Sequence, residues 1–296
     1  MLGIYIAAIL TSLLAAIAFG SLVLQITPKP DCSLVLVLTI CGLPLSVSTY
    51  YLVRLPIDRG LEKQLGKESS AYTAARLCYA PVTEEPAKLL PLLLLLLPPF
   101  RGHLTRDSVV AIGMALGLGF AIGEMWLVAH FIAADPKLGA FPFYMYGGYI
   151  GERLQTCLTH SGFTVLAVWG LRRGWGWFIV GLSGGMVLHF LGNFPIYLMR
   201  QDAWGLGKDV WSQIVGVWVA LFSVGALVLL GLIYFGPTAA KKLLTAKVLC
   251  PDCGQLYRQP IFGMNMGMKR YEQCPLCKKW HWIDIRDMLK NDPPAS

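Results

Sequence analysis

The stretch Pro81-Val82-Thr83-Glu84-Glu85-Pro86-Ala87-Lys88-Leu89-Leu90-Pro91, running into unbroken leucine from Leu92 to Leu97, decides how this chain is read. Two carboxylates and an ammonium group stand directly against sequence that belongs in lipid. A charge near the bilayer centre costs about 3 kcal/mol or more, so such groups persist where they face one another, a metal or a water-filled cavity. Working outward, Glu124, His160 and His189 stand in three further apolar stretches. Ionisable groups on separate apolar segments predict a polar chamber between helices, and that chamber is the candidate active site.

The composition agrees. Apolar residues make up 55% of the chain and charged residues only 14%, against about 25% charged in a soluble domain. The expected fold is an all-α polytopic membrane protein of 6–8 transmembrane helices with a small C-terminal β-rich zinc ribbon. Candidate spans fall at about 2–25, 33–53, 71–99, 108–133, 148–171, 175–199 and 211–235. The first has no basic n-region and reads as a retained helix rather than a cleaved signal. Residues 54–70 read as a surface helix or loop. Gly236-Pro237 is the expected end of the last span, so the domains divide as a membrane domain over 1–240, with its core at about 71–199, and a ribbon tail over 241–296.

The net charge of +8 does not point to nucleic acid, because the basic residues lie in short loops and the tail, where they act first as orientation signals. With Arg54, Arg59, Lys63, Lys67, Arg101, Arg106, Arg172, Arg173 and the lysines at 241–247 all on one side, segment 71–99 would enter and leave on that side. If it crosses, there are seven spans and the bias nearly cancels.

Cys32, Cys41, Cys78 and Cys157 read as small buried hydrophobes. Cys250-Pro-Asp-Cys253 and Cys274-Pro-Leu-Cys277 are different. Two CxxC pairs about 20 residues apart can close a tetrahedral four-thiolate zinc site, with disulfides or redox pairs as the alternative. Reduced thiolates favour a cytosolic tail. His281 is expected to be structural or exposed, since four cysteines fill the zinc shell.

In the deciding stretch, Glu84 and Lys88 are four apart and can pair on one helical face, with Glu85 turned away. The plainer reading makes Thr83 the N-cap of an ordinary helix whose first turn holds two acids and a proline. The run from Gly113 to Glu124 holds the small-xxx-small pairs Gly113/Gly117 and Gly119/Gly123, which packing explains. Packing does not explain Glu124. Arg153, His160 and Thr164 share a face, as do His189 and Asn193. A lone intramembrane histidine is usually a satisfied interhelical hydrogen-bonder, but two beside three glutamates weaken that view.

Glu84-Glu85-x-x-Lys88, Phe120-x-x-x-Glu124, His160 and His189-x-x-x-Asn193 together resemble the PrsW family, intramembrane proteases related to the CAAX-protease and bacteriocin-processing group. The resemblance runs from about Glu84 to Asn193 and leaves out the first two spans and the ribbon. It implies endopeptidase hydrolysis of a membrane-protein or membrane-anchored peptide substrate in the cytoplasmic membrane. Glu84 or Glu85 would activate water; Glu124 and His160 would hold that water or a metal; His189 and Asn193 would donate to the oxyanion; Lys88 and Arg153 would orient the carboxylates. Glu124, His160 and His189 would also satisfy a catalytic divalent metal site. Two rival readings are a proton- or ion-coupled transporter built on the same acids and histidines, and a non-catalytic scaffold whose ribbon binds a soluble partner.

Overall fold

The computed structural model describes residues 2–26, 32–96, 104, 108–245, 247–258, 264–266 and 269–284. Within these the chain forms two compact units, Met1–Leu230 and Gly231–Ser296. The first is helical. Its elements are α1 (Leu2–Ile26), α2 (Cys32–Thr49), a π-helical turn (Tyr50–Arg54), α3 (Leu55–Leu65), α4 (Ser70–Lys88), a 3-10 segment (Leu90–Leu96), α5 (Val109–Ala134), α6 (Gly147–Arg173), α7 (Trp175–Arg200) and α8 (Lys208–Thr245). Five helical stretches, Leu2–Val23, Cys32–Leu65, Val109–Ala134, Trp175–Arg200 and Lys208–Ile233, are long and apolar enough to cross a membrane. α4 and α6, which carry the charges, are not among them.

α5 is the central helix, buried along nearly its whole length. Its two glycine pairs serve different neighbours. A Cβ on Gly117 would come within 2.5 Å of the His160 carbonyl oxygen on α6, and one on Gly123 within 2.0 Å of the Leu43 carbonyl oxygen on α2. Only glycine permits these backbone approaches. They fix the height at which α6 presents His160.

α4 bears on the crossing conflict through its path in the bundle. Its N-terminal half lies against α3 and the end of α2, where the Tyr79 hydroxyl donates to Asp58. Its C-terminal end and the 3-10 segment pack Leu89 and Leu92 on Leu34 and Leu38 of α2 and on Val109 of α5. Since α2 runs from Leu34 toward Arg54, α4 and its continuation traverse the bundle from end to end. Among the described residues seven helices therefore pass between the two ends. Arg54, Arg59, Lys63 and Lys67 lie at the end opposite Arg172 and Arg173, so the charge bias cancels. Arg101 and Arg106 lie outside the described residues.

At two places a helix runs through a local start or stop signal. Thr83 does not start a helix: Ser69 is the N-cap of α4, accepting from the Tyr72 amide, and Thr83 bonds back to the Tyr79 and Ala80 carbonyls in mid-helix. Nor does Gly236-Pro237 end α8, which continues to Thr245. A proline removes one backbone bond, which an otherwise favourable helix can absorb.

The second unit carries two small sheets. β1 (Lys247–Leu249) pairs antiparallel with β2 (Leu256–Arg258), and β3 (Met264–Met266), β4 (Lys269–Gln273) and β5 (Trp280–Asp284) form a three-stranded meander. Each CxxC sits in the turn between antiparallel neighbours, β1/β2 and β4/β5.

Candidate active site and cysteine cluster

α4, α5, α6 and α7 each bring ionisable groups to one buried place. Glu84, Glu85 and Lys88 come from α4, Glu124 from α5, Arg153 and His160 from α6, and His189 from α7. Glu84, Glu85, Lys88, Arg153, His160 and His189 are buried, and Glu124 is half-buried. The two imidazoles meet edge to face with centroids 5.1 Å apart, between Phe120 and Phe163. Counting to the nearer helix end at about 1.5 Å per residue puts Glu124, His160 and His189 roughly 15–20 Å deep.

The hydrogen bonds order the cluster. Glu85 Oε1 lies 2.7 Å from His189 Nδ1, and Glu124 Oε2 lies 3.0 Å from His160 Nε2. A carboxylate accepts, so those ring nitrogens are the donors. The opposite nitrogens, His189 Nε2 and His160 Nδ1, are thereby left as acceptors. His189 Nε2 is 3.8 Å from Glu84 Oε2, too long for a direct bond and suited to a bridging water or ion. His160 Nδ1 accepts from the Lys88 ammonium. Lys88 Nζ also donates to Glu85 Oε1 at 2.5 Å, so both bonds of Glu85 end on one oxygen and Oε2 is left for another partner.

At three places the geometry differs from the arrangement that the sequence suggests. Glu84 does not pair with Lys88. Its Oε1 is taken by Arg54 from the turn after α2, and Lys88 turns to Glu85, three residues back, and to His160. Asn193 does not join the histidine cluster. Four residues along α7 is about 6 Å, and Asn193 lines a neighbouring pocket with Arg54, Arg76, Glu152, Tyr197 and Arg200. Glu124 is not the carboxylate grouped with both histidines. The three groups whose ligand atoms lie within 4.8 Å of one another are Glu84, His160 and His189, while Glu124 stands behind His160. Arg153 does reach Glu124, at 3.7 Å, and pairs with Glu152 as well. Sequence reading passed over Arg54 because nothing local separates it from Arg59 or Lys63.

Two imidazoles and one carboxylate, each oriented by a further carboxylate or a guanidinium, form a donor set that fits a catalytic divalent metal. One cation, the Lys88 ammonium, already rests against His160 and Glu85.

In the second unit the Sγ atoms of Cys250, Cys253, Cys274 and Cys277 lie within 4.8 Å of one another, and none forms a disulfide. The two turns are built alike. Gly254 and Lys278, each next after the second cysteine, donate to the Cys250 and Cys274 carbonyls at 2.9 Å; both residues have positive φ, 67° and 60°. Burial opposes ionisation of Cys250, but the backbone N–H groups of Cys253 and Asp252 outweigh it and bring its thiol down to about 6. Such a cluster is compatible with a metal such as zinc. His281 is buried and structural, with Nδ1 3.2 Å from Asp252 and Nε2 2.9 Å from the Tyr257 hydroxyl.

A buried cluster of carboxylates and histidines between the helices of a membrane-protein bundle is a candidate active site. Residues 30–227 match the PrsW family of intramembrane metalloproteases, and the chain belongs to that family. It is a membrane protease. No curated protein and no solved structure matches the chain.

Proposed function

We propose that the chain hydrolyses a peptide bond of a membrane-embedded substrate at the Glu84–His160–His189 cluster, with Glu85 as proton acceptor. The observation that carries this reading is the orientation of both imidazoles. Each is held by a carboxylate on one nitrogen; the other nitrogen of His189 faces Glu84 and that of His160 meets the Lys88 ammonium, and the three groups lie within 4.8 Å of one another. Glu84, His160 and His189 would hold a divalent metal, zinc being the first candidate. When bound, that ion would polarise the scissile carbonyl and lower the pKa of water.

The chain's own groups do the rest. Arg54 holds Glu84 in place, and Glu85 and Glu124 fix the tautomers of His189 and His160. Glu85 Oε2, which accepts no bond among the described residues, takes the proton of the attacking water and returns it to the leaving amine. The Lys88 ammonium, tied to Glu85 and His160, lies close enough to turn toward the developing oxyanion, a role the sequence assigned to His189 and Asn193. The ribbon holds its own structural zinc on the four cysteines, and the reduced thiolates suit a cytosolic location in the cell membrane protein.

The test is proteolysis of a single-span reporter by purified protein in vesicles. Glu85→Gln should lower kcat by about 10²–10⁴-fold while leaving the metal bound. Glu84→Ala and His160→Ala should remove both metal and activity without loss of folded protein. Cleavage retained in either alanine variant contradicts the assignment.

A further inference from the structure

Beside the cluster, at the end where α2 and α7 finish, lies a polar cavity of about 270 Å³ lined by Arg54, Arg76, Arg200, Glu152, Asn193 and Tyr197. It borders the candidate active site at Arg54, which lines the cavity and also pairs with Glu84. The volume accommodates a residue or two of extended chain.

Arg54 answers Glu84, Arg76 answers Asp58 at 3.0 Å, and Arg153 lies between Glu152 and Glu124. Arg200 is exposed, lines the cavity and forms no ion pair among the described residues. A guanidinium without an acid takes a carboxylate through charge-assisted, often bidentate hydrogen bonds, about twice as strong as neutral ones. Asn193 and Tyr197 add neutral polar groups suited to a peptide backbone.

We propose that this cavity is a substrate subsite that takes one acidic side chain, Asp or Glu, from the polar segment bordering the substrate's membrane span. Arg200, the one lining arginine without an acidic partner among the described residues, sets the number at one. The cavity's contact with Glu84 through Arg54 places that side chain within a few residues of the scissile bond. This subsite rests on the proteolytic reading above.

The test uses full-length protein in phosphatidylcholine vesicles and a series of single-span peptides. Asp is moved through the bordering polar segment, with Asn at the same positions as the comparison. At one or two positions Asp should raise kcat/KM about tenfold over Asn, chiefly through KM, the effect of one charge-assisted contact. Arg200→Lys should keep the preference, Arg200→Gln should erase it, and Arg200→Glu should invert it toward Lys. Binding of the same peptides, followed by fluorescence anisotropy, reads the subsite even where nothing is cut. Asp-dependent binding without cleavage supports the subsite and rejects the proteolytic reading. Equal binding of the Asp and Asn series, or a preference that survives Arg200→Glu, overturns the subsite. A response to added phosphatidylglycerol that replaces the peptide preference and disappears in Arg200→Gln assigns the cavity to a lipid headgroup, and also overturns it.

Discussion

Arg54 carries more of this site than its position in the sequence suggests. It ends a π-helical turn and supplies the counter-charge of Glu84, which is only 4% exposed. Removing one partner of a buried ion pair leaves the other uncompensated, at about 3–5 kcal/mol. Arg54→Leu is therefore expected to lower the melting temperature and abolish cleavage, with Arg54→Lys partly restoring the first but not the second. Thermal unfolding in detergent beside a cleavage assay checks this, and an Arg54→Leu protein as stable as the parent would contradict it. In the ribbon, Lys278 holds the left-handed conformation that Gly254 holds in the matching turn. Lys278→Gly should stabilise that unit by about 0.5–1 kcal/mol, read as resistance to chelator-induced unfolding. The acids, the histidines and both CxxC pairs could be read from sequence because each residue type is anomalous where it stands. The partners could not. Whether Glu84 meets Lys88 on its own helix or Arg54 on another depends on how α2 and α4 approach, and no local spacing encodes that.

At the scale of elements, the helices are legible in their apolar runs, and the glycines show which faces touch. Gly113/Gly117 and Gly119/Gly123 read only as close-packing pairs. That one pair serves α6 and the other α2 is set by their offset around α5. Gly117 lies against the backbone of His160, so Gly117→Leu should push α6 outward and break the His160–Glu124 bond. The expected result is a loss of about 1–3 kcal/mol and of cleavage. Gly147→Ala, at a position with open space, should leave both unchanged. Equal behaviour of the two variants would remove the link between helix approach and site assembly. Thr83 and Gly236-Pro237 lie inside α4 and α8 for one reason: capping residues and prolines mark places where a helix can start or stop, and packing decides whether it does.

For the whole molecule, the charges alone left two topologies open, because basic residues occur at both ends of the bundle. α4 resolves the choice by reaching from Asp58 to Leu34 and Val109. Single cysteines at Lys63 and Arg173, in a background without other reactive cysteines, should then be labelled from opposite sides of sealed vesicles. Labelling from the same side would contradict a crossing α4. The central claim is that Glu84, His160 and His189 act together as one metal centre separate from the ribbon. Its most direct test is metal analysis of folded, purified protein with Cys250, Cys253, Cys274 and Cys277 replaced by serine. The expected result is about one divalent metal per chain, lost on His160→Ala or His189→Ala and kept on Asn193→Ala. Folded four-serine protein that cleaves its reporter while holding no metal would contradict it.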